Sequence, residues 1–159
     1  MNEQALSSNG ATKEEEYDIS LVLIENLGLV WDECEKILIR SCKRSNGRVN
    51  TKDIYYNFLK NNNSIWIVFN KSDLKIIGCL VTEIMNYPSG IKMLNIDHIA
   101  GKYMERWIDR GLEVLTSWSK DNQCVGIEGV GRKGFWNWIK NKEGWKQTSS
   151  FYEIKFNEE

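Results

Sequence analysis

The chain has 159 residues, the size of one globular domain. Hydrophobic residues make up 42% of it, and 21 basic residues balance 22 acidic ones to a net charge of −1. This balance argues against a protein that binds nucleic acid through its overall charge, and we expect no nucleic-acid partner.

The chain begins with a polar segment, residues 1–16, that ends in a run of three glutamates. Low hydrophobicity with Ser, Asn and Gly is typical of disorder, so we expect a disordered tail followed by a single domain over residues 17–159. The first apolar run is too short to cross a bilayer, and no signal peptide is recognisable. We therefore expect a cytoplasmic protein without a membrane partner.

The next segments predict two helices. Residues 17–30 are apolar and fit either a strand or a helix. Residues 31–44 carry apolar side chains at helical spacing and predict a helix. Thr51 is the expected cap of a second helix, which the three asparagines at 61–63 end.

Three strands are predicted after these helices. Residues 64–70 read SIWIVFN, a β-branched and aromatic run typical of a strand. Residues 74–87 predict a longer strand, and the turn signal YPSG separates it from a third strand at 91–99. Short turns between consecutive strands indicate an antiparallel meander.

Alternating elements complete the chain. An amphipathic pattern predicts a helix over residues 103–121, followed by a short buried strand at 124–130. A short helix is predicted at 135–142 and a final strand at 146–156, whose aromatic residues are a candidate dimer contact. The order indicates an α/β protein with a mixed sheet and helices on both of its faces.

The metal-ligating residue types are sparse. The chain has four cysteines without a C-x-x-C pair and one histidine, His98. A zinc site needs several such ligands close together, so we expect no metal and reduced, buried thiols.

The order of elements resembles the fold of the GNAT N-acetyltransferase family over residues 17–156. The segment IEGVGRKGFWNWIKNKEGW resembles the strand, helix and Gly-aromatic pair at the end of that family's fold. More narrowly, the segments IWIVFN and IIGCLVTEIMNYPSGIKMLNI, with the turn GR-x-GFW, resemble small GNAT-like proteins of tailed bacteriophages. The resemblance implies transfer of an acetyl group from acetyl-CoA to an amine of a small molecule or a protein.

In that family the cofactor's pantetheine arm adds to the fourth strand, and its pyrophosphate lies on the turn before the third helix. The family pattern at this turn is Gln/Arg-x-x-Gly-x-Gly/Ala, and the chain reads HIAGKY at 98–103. The resemblance therefore implies cofactor contacts from His98, Ile99, Gly101, Lys102 and Tyr103. Because Tyr103 stands where the family has a small residue, we expect its ring to crowd the pyrophosphate.

Two acidic residues on the predicted strands, Glu83 and Asp97, are the candidate catalytic bases that deprotonate the amine. The family's usual proton donor to the leaving thiolate is a tyrosine on the fourth helix, and no tyrosine lies between Phe135 and Trp145. Two hypotheses follow: an acyl-CoA-dependent N-acyltransferase, or a non-catalytic phage virion or host-interaction protein on the same scaffold. The first would act in a host cytoplasm, and the second would belong to the cytoplasm or the virion.

Overall fold

A computed structural model describes residues 16–131 and 133–156, without the side chain of Lys133. Except for Glu16, the predicted disordered tail lies outside these residues. The described chain divides into two compact units, a larger one that ends at Glu128 and a smaller one that begins at Gly129.

The described residues form five strands, four α-helices and one short 3-10 helix, Ile24–Asn26. The strands are β1 (Tyr17–Leu21), β2 (Ser64–Asn70), β3 (Ile76–Asn86), β4 (Lys92–Gly101) and β5 (Gly126–Gly129). The helices are α1 (Leu27–Lys43), α2 (Thr51–Leu59), α3 (Met104–Asp121) and α4 (Lys133–Ile139). Of the helices in the described part of the chain, none is long and apolar enough to span a membrane.

The five strands lie side by side in chain order. Strands β1 to β4 pair antiparallel, as the predicted meander requires. Strand β5 follows β4 through helix α3, the kind of crossover that parallel neighbours need, and the sheet is therefore mixed. The predicted α/β class is confirmed.

One face of the sheet packs against α1 and α2. Ile65 of β2 lies opposite Val81 of β3, and both side chains are almost fully buried. The apolar stripes of the two helices cover them, with Cys34, Leu38, Ile54 and Phe58 in the same core cluster. Burial of this kind, at roughly 25 cal/mol per Å² of apolar surface, is the main force that holds helix to sheet.

Helix α3 covers the opposite face of the sheet, where tryptophans dominate. Trp66 of β2 meets Trp118 of α3 edge to face, with ring centroids 5.4 Å apart. The Trp66 indole N–H donates to the Thr82 hydroxyl at 2.9 Å, which satisfies two buried polar groups. The predicted helices on both faces are thus found for the larger unit.

The N-cap of helix α2 lies one residue earlier than predicted. Asn50, and not Thr51, is the N-cap: its side chain accepts from the Asp53 N–H at 3.0 Å, while the Asp53 carboxylate accepts from the Asn50 N–H at 2.8 Å. This reciprocal capping box satisfies two backbone donors at the helix start. Thr51 instead donates its hydroxyl to Glu35 of α1 at 2.9 Å.

Two predictions for the last third of the chain are wrong. Strand β5 has four residues rather than seven and is only partly buried, with Val125 and Val130 on either side more than two-thirds exposed. The predicted strand at 146–156 is absent, because these residues form no strand. Alternating apolar residues favour a strand, but a strand exists only where another strand supplies its hydrogen bonds.

Candidate functional site

The pairing of β3 with β4 is interrupted by a bulge in β4. His98 lies opposite Val81, and Ile96 lies opposite Thr82, the residue after Val81. Asp97 is therefore an extra residue with no partner on β3. Such bulges bend a strand and redirect a side chain, and they are frequent beside active sites.

Both predicted bases meet at this bulge. Glu83 of β3 lies opposite Asn95 of β4, two residues before Asp97. The Asn95 amide donates to Asp97 Oδ1, and the Glu83 carboxyl lies near enough to raise the pKa of Asp97. Because a neighbouring negative charge disfavours ionisation, Asp97 holds its proton more tightly than an isolated carboxyl does.

The pKa of Asp97 is raised from 3.8 to about 6, chiefly by burial and to a smaller extent by the neighbouring Glu83 carboxyl. The amide of Asn95 opposes this change in pKa, since it donates to the ionised form. At neutral pH Asp97 is ionised yet a stronger base than an ordinary aspartate. That is the state which a general base for amine deprotonation needs.

His98 lies next to this pair in the strand but serves a different purpose. It is buried, and its Nδ1 is 2.7 Å from the Ser41 hydroxyl of α1. Burial lowers the pKa of His98, which favours the neutral ring at pH 7. His98 thus connects β4 to α1. Throughout the described residues, no three His, Cys, Asp or Glu side chains converge as metal ligands.

Half of β4 extends beyond its outer neighbour. Strand β4 has 10 residues and β5 has 4. The two strands meet at the beginning of β4, where the Val125 N–H donates to the Lys92 carbonyl at 2.8 Å. From this contact a parallel β5 runs beside the first half of β4 and then ends. The edge of β4 at residues 97–101, which includes Ile99, therefore has no β5 residue beside it. An extended group of suitable chemistry can add to such an edge through main-chain hydrogen bonds.

Gly101 at the end of β4 is required by the backbone of β3. Its φ is +142°, and a β-carbon there would lie 2.5 Å from both the Gly78 Cα and the Ile77 carbonyl oxygen. The N–H of the following residue, Lys102, donates to the same Ile77 carbonyl at 3.0 Å. The Lys102 carbonyl in turn accepts from the Trp107 indole at 2.7 Å. These contacts fix the turn against the sheet.

Tyr103 lies immediately before α3 in the left-handed conformation, with φ of 58°. Its ring stacks on Tyr17 of β1 with centroids 6.2 Å apart, and the Arg106 guanidinium lies 5.4 Å from its centroid. Strand β1 is at the opposite edge of the sheet from β5. The ring therefore leans away from the edge of β4 that β5 flanks, contrary to the crowding expected from the sequence.

Sequence reasoning missed Asn95 and Ser41, which orient Asp97 and His98. Asn95 and Asp97 are two residues apart in a strand, a spacing that places side chains on one face and that offered a signal. Ser41 offered none, because 57 residues separate it from His98.

No family model and no curated protein sequence matches the chain. Several solved structures, by contrast, are similar to the chain in fold. A GNAT family acetyltransferase from Staphylococcus aureus is 14% identical, with a TM-score of 0.59 over 88% of this chain and 98% of that one. A ribosomal-protein-alanine N-acetyltransferase from Brucella melitensis is 16% identical, with a TM-score of 0.56 over 88% and 99%.

An acetyltransferase from Clostridium acetobutylicum, solved with acetyl-CoA, is also 16% identical, with a TM-score of 0.59 over 87% of this chain and 96% of that one. Identities this low establish the fold alone. The chain has the fold of the GNAT acetyltransferases.

The residues around β4 fit the acetyl-CoA that this fold implies. The edge at residues 97–101 can accept a pantetheine arm. The first turn of α3 has backbone N–H groups, such as that of Met104, without acceptors inside the helix, and these favour an anion. Lys102 adds an exposed basic side chain, although its N–H is already bonded to Ile77. Arg106 is paired with Glu16 at 3.4 Å.

Proposed function

We propose that this protein is an N-acyltransferase that uses acyl-CoA, with Asp97 as its general base. The observation that carries this proposal is the Asp97 carboxyl at the bulge of β4, held by the Asn95 amide and close to Glu83. The pair adjoins the strand edge at residues 97–101, where the fold's cofactor arm would lie. A base of raised pKa and a strand edge for the acyl donor are the two parts that amine acylation needs.

In this mechanism acyl-CoA supplies an acyl group activated as a thioester. Gly101, Lys102 and Tyr103 shape the turn that leads to the N–H groups of α3. Asp97 accepts the proton that the attacking amine loses as its nitrogen bonds to the carbonyl carbon. Asn95 holds the carboxylate in place through its amide, and burial, with a smaller contribution from Glu83, raises the pKa of Asp97 to about 6.

The acceptor is an amine of a small molecule or a protein. The described part of α4 carries no tyrosine, the residue that the family uses to protonate the leaving thiolate. We propose that water supplies this proton. Since a thiolate is a good leaving group near neutral pH, transfer can proceed without a dedicated acid.

The test is an acetyl-transfer assay with acetyl-CoA and a panel of primary amines, in which thiol release is measured against pH. We expect the rate to rise with pH through an inflection near 6, because Asp97 must be ionised to accept a proton. Asp97→Asn should lower kcat by about 100-fold or more. In Glu83→Gln the inflection should move to lower pH, because the carboxylate that raises the pKa of Asp97 is gone.

Full activity in Asp97→Asn would refute Asp97 as the base, whereas an inflection unmoved by Glu83→Gln would show that burial alone sets its pKa. Asp32→Asn on the exposed face of α1 is the matched control and should behave like the wild type.

One observation favours a second candidate, a non-catalytic interaction protein, such as a phage virion or host-binding protein, on the same scaffold. The Lys102 N–H, which would face an anion at a free turn, is instead bonded to the Ile77 carbonyl of β3. This candidate predicts that no amine is acetylated and that acetyl-CoA does not bind. A measurement of acetyl-CoA binding therefore separates the two candidates even if the amine panel lacks the true acceptor.

A further inference from the structure

A serine and a histidine form a polar contact between α1 and β4. The Ser41 hydroxyl is 2.7 Å from His98 Nδ1, a normal hydrogen-bond distance, and the ring of His98 is buried. Burial lowers the pKa of His98, so the ring is neutral at pH 7 and one of its nitrogens is an acceptor. The Ser41 hydroxyl can therefore donate to Nδ1, and the bond ties one position of β4 to α1.

The bulge at Asp97 reverses the alternation of side chains along β4. Before the bulge, Ile96 lies opposite Thr82, whose hydroxyl is on the face of the sheet that α3 covers. After the bulge, His98 lies opposite Val81, which belongs to the core cluster under α1 and α2. Directly opposed residues share a face, so Ile96 faces α3 and His98 faces α1. Residues two apart in a regular strand share a face, and the extra residue is therefore what turns His98 toward α1.

The bond between Ser41 and His98 favours the register that contains the bulge. The other buried residues of β4 are apolar, namely Leu94, Ile96 and Ala100. A slip of one residue that removed the bulge would turn the His98 ring toward the tryptophans under α3 and away from Ser41. A buried polar group without its hydrogen bond is costly, so that register is disfavoured. The bond thus helps to select the register in which Asp97 is the extra residue.

We propose that Ser41 and His98 are positioning residues for the base of acyl transfer, because their hydrogen bond holds the bulge that sets Asp97 in place. In this register the Asp97 carboxyl accepts from the Asn95 amide and lies close to Glu83. Helix α1 then acts on the reaction through β4. The proposal rests on the proposed function for the catalytic use of Asp97, whereas the placement of this carboxyl is a property of the fold.

The first test follows the side-chain carboxyl carbon of Asp97 by NMR while the pH of the full chain is varied, with Glu83 and His98, which titrate beside it, assigned separately. We expect a pKa of about 6 in the wild type. In Ser41→Ala the pKa of Asp97 should fall toward 3.8, because a strand freed from α1 leaves the carboxyl better solvated. Ser41→Cys keeps a weak donor, should give an intermediate value, and takes the place of Ser41→Ala if that variant does not fold. An unchanged pKa of Asp97 overturns the proposal.

Three further variants separate positioning from a general loss of stability. Ser41→Thr keeps a hydroxyl and His98→Asn keeps an acceptor oxygen, so at least one of them should retain the wild-type pKa of Asp97. Ser119→Ala is the matched control, because Ser119 is a buried serine of α3 whose hydroxyl donates to the Thr116 carbonyl at 2.9 Å. It removes a comparable bond away from β4 and should leave the pKa of Asp97 unchanged. An equal fall in Ser119→Ala, or no recovery in either conservative variant, overturns the proposal.

The second test is acetyl transfer from acetyl-CoA, measured against pH. In Ser41→Ala we expect kcat to fall about tenfold, since a small displacement of a catalytic group is costly, and the inflection to move to lower pH together with the pKa of Asp97. The conservative variant Ser41→Thr should recover both. A wild-type kcat and inflection in Ser41→Ala overturn the proposal. If the wild type itself transfers no acetyl group, the proposed function fails, and the NMR titration still decides whether Ser41 positions Asp97.

Discussion

At the scale of single residues, the proposed base Asp97 carries a cost in stability. The site holds a carboxyl in a partly buried position beside a second carboxylate. Its amide partner, Asn95, offsets part of that cost by donating to the ionised form. Residues placed for chemistry commonly reduce the stability of the fold in this way.

Asp97→Asn is therefore expected to stabilise the protein at neutral pH. Burial raises the pKa of Asp97 from 3.8 to about 6 in the folded state, so folding favours the protonated form. The contribution of Asp97 to stability is fully present below about pH 4 and is lost as pH rises through about 6. The variant should raise the free energy of unfolding by about 1–2 kcal/mol at pH 7, discounted for partial exposure, and leave it unchanged at pH 3.5.

Urea denaturation at both pH values measures this difference. Asp32→Asn controls for the loss of one exposed carboxylate. A gain of equal size at pH 3.5 and pH 7, or a loss at pH 7, would show that the carboxyl is not destabilised by its surroundings.

At this scale the sequence names the candidate bases, and their catalytic role stays a prediction. Glu83 and Asp97 stand out as acidic residues on apolar strands, and the structure brings them together. Their proximity depends on the bulge in β4, and nothing in the sequence NIDH at 95–98 indicates that a bulge forms there. A bulge is set by how two strands fit, which one strand's sequence does not contain.

At the scale of elements, the close approach of β4 to β3 explains Gly101. A glycine before a helix fits both a phosphate-binding turn and simple steric need. The structure supplies the steric reason, because the backbone of β3 occupies the space that a side chain would fill. The same glycine still shapes the turn into α3.

Gly101→Ala should therefore destabilise the fold whether or not a cofactor binds. A β-carbon 2.5 Å from the backbone of β3, at a φ of +142°, forces strand separation. We expect a loss of about 3 kcal/mol or more in the free energy of unfolding, measured by urea denaturation.

Gly90→Ala is the matched control for this variant. Its φ is also positive, at +92°, but nothing lies within 4 Å of the added carbon. The expected loss is about 1 kcal/mol, the backbone cost alone. Equal losses in the two variants would contradict the packing explanation.

Other elements show what patterns can and cannot predict. Both Asn50 and Thr51 are good N-cap residues. Asp53 decides between them, because it stands three residues after Asn50 and completes a capping box with it. The alternation in residues 152–156 is strand-like, but the part of the chain that the structure describes supplies no strand beside it. Local patterns thus predict which conformation a segment favours, whereas its partners decide whether that conformation forms.

At the scale of the whole molecule, the order of elements was the strongest signal. Two helices, a meander, and then helix, strand and helix were predicted from periodicity, and structures with 14–16% identity share that order. Apolar spacing survives where identity does not, because many side chains can fill the same core. Function does not follow from the fold in the same way, since one scaffold supports many activities.

The central claim is that the edge of β4 and the turn into α3 bind acyl-CoA beside the Asp97–Glu83 pair. Isothermal titration calorimetry of the full chain with acetyl-CoA tests it without knowledge of the acceptor. We expect one site per chain with a micromolar dissociation constant, retained in Asp97→Asn because that carboxyl acts on the amine. No binding at millimolar acetyl-CoA would contradict the claim and leave the non-catalytic candidate.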